Sequence, residues 1–259
     1  MNIRKIYTIA YNTYRESVRS KILYAVFFFA ILVVSVSSVF GMVTIGNKVK
    51  VLKDFGLLSL SLFGLLYVVV TGSSLLQKEL ARKTIFNILS KPVSRSEFVI
   101  GKYFGMLMTF TFIFILMSAA LSLFIYFYEG QFDPVLLVGY YGIFLQVVIL
   151  CALTILFSAL LVTPILSGGI VFCCFVIGRS SDFILQIIQQ FELTGLLKQL
   201  FEKIYYVIPH LDKLDCSNQV VYGVLVENDR LLWNTVYALS YAACSLLIAG
   251  WLFSRREFN

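Results

Sequence analysis

QKELARKTIFNILSKPVSRSEFVIGK, Gln77 to Lys102, is a polar island between two long apolar runs and carries the densest cluster of positive charge in the chain. Wound at 100° per residue, it places Leu80, Ala81, Thr84, Ile85, Ile88 and Leu89 on one half and Glu79, Arg82, Lys83, Phe86 and Asn87 on the other. Such a segment suits a helix lying at a membrane boundary, with its apolar half against lipid or neighbouring spans. Phe86 breaks the pattern. An aromatic ring on a charged face is costly to hydrate and useful when something covers it, so it reads as an anchor for a cytoplasmic partner. Pro92 stops the helix, because the residue before a proline is pushed out of the α region. SRSE, Ser94 to Glu97, then has the spacing of a capping box that starts the next helix.

Composition explains why the island stands out. Hydrophobic residues form 59% of the 259-residue chain and charged residues 14%, against roughly 45–50% and about 25% in soluble domains. This is the composition of an all-α, polytopic membrane protein. Runs at roughly 22 to 44, 55 to 76, 104 to 127, 135 to 161, 165 to 178 and 231 to 253 are the six candidate spans. The yardstick is about 20 residues to cross some 30 Å of hydrocarbon. The fifth run is short for a crossing. The first is too long for the core of a signal peptide and reads as a span.

Positive charge orients the bundle. With six crossings and both termini in the cytoplasm, thirteen of the 21 Lys and Arg residues fall inside, in the N-terminal segment, in 78–102 and at Arg255 and Arg256. The other eight are spread over longer outer segments, where they count for less. Lys48, Lys50 and Lys53 dissent, since they sit in a short outer loop. The formal charge of +7 follows from this placement and calls for no nucleic-acid partner.

The spans carry little chemistry. All fourteen acidic residues and His210 lie outside their cores, whereas ion-driven transporters keep titratable groups at intramembrane depth. Gln146 is the main polar exception. GMVTIGNK, Gly41 to Lys48, has the two glycines of a phosphate loop but Asn47 where lysine is required. Energy is therefore expected from another chain. Cys151, Cys173, Cys174 and Cys244 lie in apolar runs and Cys216 lies apart, at spacings that fit no zinc or disulfide framework.

KDFGLLSLSLFGLL (Lys53 to Leu66) followed by QKELARKTIFNILSKPVSRSEFVIGKYFG resembles the permease subunits of ABC-2 type transporters. In those proteins an acidic residue, a Thr, an LLSxPVSR turn and a GK recur in this order after the second span. Here the matching positions are Glu79, Thr84, Leu89 to Arg95 with Ile88 replacing the second leucine, and Gly101-Lys102. IAYNTYRESVRSKIL, IPHLDKLDCSNQVVYG and FSRREF extend the resemblance over nearly the whole chain. It implies one transmembrane domain, residues 1–259, in the inner (plasma) membrane, without a nucleotide-binding domain. It further implies a second permease copy or homologue, separate ATP-binding subunits and no cofactor on this chain, ATP and Mg belonging to the partner.

By the same resemblance, Glu79, Arg82, Lys83, Thr84, Phe86, Lys91, Pro92 and Arg95 contact the ATPase through a coupling helix, and short extracytoplasmic helices precede the last span. The expected activity is export of a hydrophobic or amphiphilic cargo, without catalysis by this chain. Alternatives are a permease-fold component of a structural or signalling complex, a permease of the copper-enzyme-maturation type, and a membrane-embedded enzyme.

Two further stretches read as amphipathic. Ile3, Ile6, Tyr7, Ala10, Tyr14 and Val18 share one face of an N-terminal helix expected in the plane of the inner leaflet. Between Ser180 and Arg230, Phe183, Ile184, Ile187, Ile188 and Phe191 form one apolar stripe. Leu196 to Ile208 form another, ended by Pro209.

Overall fold

The computed structural model describes residues 3–18, 48–75, 94–161, 163–183, 205–224 and 226–255, with Ile31, Ser35, Gln186, Gln199 and Lys203 as single helical positions. The first apolar run apart from Ile31 and Ser35, the segment 76–93 and most of 184–204 lie outside the described residues. What is described is all-helical: α1 (Ile3–Val18), α2 (Lys48–Tyr67), α3 (Arg95–Glu129), α4 (Val135–Leu160), α5 (Pro164–Arg179), α6 (Leu211–Leu214), α7 (Ser217–Val221) and α8 (Asn228–Arg255). Helix α2 continues through one π-helical turn, Val68–Gly72, to Leu75. Among the described residues, this extended α2, α3, α4 and α8 are the four helices long and apolar enough to cross a membrane, and α5 is a shorter apolar helix.

Local chemistry accounts for the boundaries. Ser94 accepts from the Glu97 amide at 3.3 Å while the Ser94 amide donates to Glu97 Oε2 at 3.0 Å, the reciprocal capping box expected for SRSE. At its far end α3 stops at Gly130, whose φ of 70° is open to glycine and strained for other residues. The 35 residues of α3 span about 52 Å at 1.5 Å each, longer than the hydrocarbon alone. Pro164 opens α5 at a position where a missing amide costs nothing.

Helix α4 is apolar on every side and is correspondingly the central helix, buried from Leu136 to Ala159. Extended α2, α3, α5 and α8 surround it. Contacts sort the ends. Lys53 near the start of α2 bonds Glu129 and Asp133 between α3 and α4. At the opposite end Ser158 of α4 faces Ser73, Gly168 of α5 lies against Val69, and Arg95 of α3 reaches Phe253 of α8. Helices α2, α3, α4 and α5 therefore alternate in direction, and α8 runs the same way as α2 and α4.

Helix α1 lies along α3. Its buried residues are Ile6, Ala10, Thr13 and Ser17, while Ile3 and Tyr7 are 79% and 62% exposed. Ile6 and Ala10 of the expected apolar face turn toward α3, while Ile3 and Tyr7 turn outward. The reason is a notch: Gly101 sits against Ile9 and the Ile6 carbonyl, and Gly105 against Thr13 and the Ala10 carbonyl. Two glycines four apart on α3 let the α1 backbone approach closely between Ile6 and Thr13.

Candidate functional site

Two polar assemblies mark the two ends of the bundle. The first surrounds Leu75 and Ser94, between which the island 76–93 is inserted. On its N-terminal side the π-helical turn unsettles the regular ladder of α2, and hydroxyls satisfy the freed backbone groups. Ser73 Oγ donates to the Val69 carbonyl and Ser74 Oγ to Thr71, while Ser158 Oγ of α4 reaches the Ser73 carbonyl at 3.5 Å. The Tyr67 hydroxyl donates to the Met106 carbonyl of α3 at 3.0 Å. A span edged this way is fixed to α3 and α4 just before the chain leaves the bundle.

On the C-terminal side of the island, Arg95 stands in the first turn of α3. Its Nη1 donates to the carbonyls of Ser254 at 2.9 Å and Phe253 at 3.3 Å, in the last turn of α8. One turn further in, the Phe98 and Phe253 rings stack with centroids 5.9 Å apart, and both are buried. Lys102 is 3% exposed, with its ammonium 5.7 Å from the Phe98 ring centre.

The second assembly closes the other end. Helix α5 is 16 residues long because a different piece of chain completes its height. The segment Pro209 to Val220, carrying α6 and α7, packs beside α4 as deep as Gln146. Gln146, 1% exposed, donates through Nε2 to the Leu211 carbonyl at 3.2 Å and accepts from Ser61 of α2 at 3.4 Å. Arg179, the last residue of α5, donates to Ser61 Oγ at 2.8 Å and pairs with Asp215 at 2.5 Å. Gly142 and Gly178 let the Leu214 and Pro209 carbonyls approach their backbones closely. Irregular backbone at this depth is tolerated because protein groups satisfy it and shield it. The end of α5 is thus continued by an inserted segment.

Around this segment lies an acidic cavity of about 360 Å³, lined by Asp54, Arg179, Asp182, Asp212 and Asp215. The Asp182 carboxyl is held above the usual carboxylate range by its hydrogen bond with Asp212 and that neighbour's charge. His210 packs its ring edge-on against Tyr205, with centroids 4.2 Å apart, and burial together with Lys213 lowers its pKa. Of the cysteines, Cys151 and Cys216 are buried, Cys174 is half-buried, and Cys173 and Cys244 are exposed. Among the described residues no three His, Cys, Asp or Glu side chains group as ion ligands would. An apolar cavity of about 190 Å³ lies between α2 and α3 beside Ile31 and Ser35, lined by Leu60, Phe63, Met117, Leu121 and Phe124.

A family model described as ABC-2 family transporter protein matches residues 7–258, nearly the whole chain. The chain belongs to the ABC-2 transporter family. No match occurs among curated proteins. Family membership makes this a membrane permease, a class that pairs with an ATP-hydrolysing subunit and is generally non-catalytic itself. Of the eight residues assigned to that pairing, Glu79, Arg82, Lys83, Thr84, Phe86, Lys91 and Pro92 lie outside the described residues. Arg95 is described, and its guanidinium engages the end of α8. The permease's second polar network, of Arg179, Asp215, Ser61 and Gln146, was not singled out from sequence. Its one signal was a lone glutamine in an apolar run, because Arg179 and Asp215 are 36 residues apart in sequence.

Proposed function

We propose that the permease is the membrane subunit of an ATP-driven exporter of hydrophobic or amphiphilic cargo, built as a single transmembrane domain of six spans with both termini in the cytoplasm of the inner (plasma) membrane. Separate ATP-binding subunits hydrolyse ATP, and a second permease copy or homologue completes the pathway. The coupling segment is 77–95, with Glu79, Arg82, Lys83, Thr84, Phe86, Lys91, Pro92 and Arg95 as contacts. Carrying this reading is the family match over 7–258 in a chain without a phosphate-binding loop. Alternating helix directions support it, because they bring the ends of α2 and α8 to the same side as the start of α3, where the positive charges concentrate.

The test is co-purification with the ATPase and measurement of vanadate-sensitive ATP turnover in the complex. Arg82→Ala with Phe86→Ala is expected to release the ATPase or to reduce turnover by about tenfold or more, as loss of a buried aromatic anchor does. An intact complex with unchanged turnover would refute the contact assignment.

A further inference from the structure

We propose that Arg95 is a positioning residue that clasps the last turn of α8 to the first turn of α3, so that both helices move as one body when the coupling segment is displaced. The inference rests on the function proposed above and adds the route by which force spreads into the bundle. The segment 76–93 feeds directly into Ser94, the cap of α3, and a force arriving there would otherwise enter α3 alone. Helix α8 packs mainly along α4 and more sparsely on α3. Their junction at the coupling end is where the two are tied.

The geometry suits that role. Phe253 and Ser254 belong to the last described turn of α8. Arg95 donates to both carbonyls from one nitrogen, a charge-assisted pair of bonds across the two helices. Glu97 places negative charge in the first turn of α3, where that dipole favours it. The capping box fixes how α3 enters this corner, and the Phe98–Phe253 stack closes its dry side. Gly250 brings the backbones together, since a Cβ on it would stand 3.8 Å from the Ser96 Cβ. That separation is the usual Cβ spacing of a disulfide, about 3.8 Å.

The double substitution Ser96→Cys with Gly250→Cys therefore replaces the clasp with a covalent one. In native membranes under mild oxidation, the disulfide between positions 96 and 250, identified by mass spectrometry, is expected to form readily with Arg95 present and about tenfold more slowly with Arg95→Ala, the loss of a charged hydrogen bond. Equal rates would overturn the clasp. In the purified complex with its ATPase, Arg95→Ala is expected to lower ATP turnover about tenfold while the subunits stay associated, with Arg95→Lys intermediate. Oxidation of the cysteine pair in the Arg95→Ala chain is expected to restore turnover to within about twofold, a rescue that a purely stabilising contact with the ATPase would not give.

Two results would refute movement as one body: failure of that rescue, or inhibition by the disulfide when Arg95 is intact. If the unaltered permease supports no ATP turnover, the proposed function fails, and the crosslinking rates alone then decide the clasp.

Discussion

Gly142→Ala tests whether the segment Pro209 to Val220 is an integral filling of the bundle. A Cβ at Gly142 would fall within 3.0 Å of the Leu214 carbonyl oxygen, and one at Gly178 equally close to that of Pro209. Both obstacles are backbone atoms, so no side chain can rotate away. Overpacking of this kind costs about 1–3 kcal/mol, which raises the equilibrium for local opening about 5- to 150-fold at 1.4 kcal/mol per tenfold.

Cys216 is the reporter, because it lies within the segment, is 1% exposed, and has its amide nitrogen 3.5 Å from the same added Cβ. Maleimide labelling of detergent-solubilised permease, quantified at Cys216 by mass spectrometry, is expected to accelerate within that range. Labelling of Cys151, fully buried in α4, is expected to stay slow. Gly169→Ala is the control, since its added Cβ meets nothing within 4 Å. That change is expected to stabilise by about 0.4–1 kcal/mol through the unfolded chain. Cys216 labelling within twofold of the unaltered rate, or an equal rise at Cys151, would refute the argument.

Gln146→Leu removes the donor to the Leu211 carbonyl and is expected to destabilise the permease by about 1–3 kcal/mol, seen as a lower unfolding midpoint and faster Cys216 labelling. Lys53→Met strands Glu129 and Asp133 beside a buried site and is expected to cost about 1–3 kcal/mol, below the 3–5 of a fully buried pair because Glu129 is partly solvated. Adding Asp133→Asn to Lys53→Met is expected to cost less than the sum of the two changes by about 0.5 kcal/mol or more in chemical unfolding. His210 has a lowered pKa in the fold, so below its ordinary value of 6.5 the unfolded chain binds more protons and stability is lost as pH falls. The unfolding midpoint of the unaltered permease is therefore expected to drop relative to His210→Gln between pH 7.5 and 5.5, and parallel midpoints would refute it.

Features governed by neighbours along the chain were legible. The capping box at Ser94 and Glu97, the proline start of α5 and the apolar lengths of α2, α3, α4 and α8 all depend on residues within a few positions of one another. What escaped depends on partners brought together by folding. The α1 pattern marked an apolar face for the leaflet but did not name α3 as its partner, because the notch at Gly101 and Gly105 is made by a helix distant in sequence. Arg179 drew no reading of its own from the sequence, because nothing local names Asp215 and Ser61 as its partners. The island's contact set, apart from the Phe86 anchor, rests on family resemblance, since periodicity marks an amphipathic surface and not what it touches, and most of it lies outside the described residues. The π-helical turn is written in Val68-Val69-Val70-Thr71-Gly72, an ordinary apolar run whose wide turn reflects packing against Met106, Thr154 and Gly168.

That turn makes chain length, rather than chemistry, the constrained quantity at this end of the permease. Relative to an α-helix it holds one surplus residue, which swings everything after it by about 100° about the helix axis. Swapping one of its valines for isoleucine leaves the angle alone. Deleting any of the five resets it, aiming Ser73 away from Ser158 and delivering the outgoing chain to the wrong side of α4.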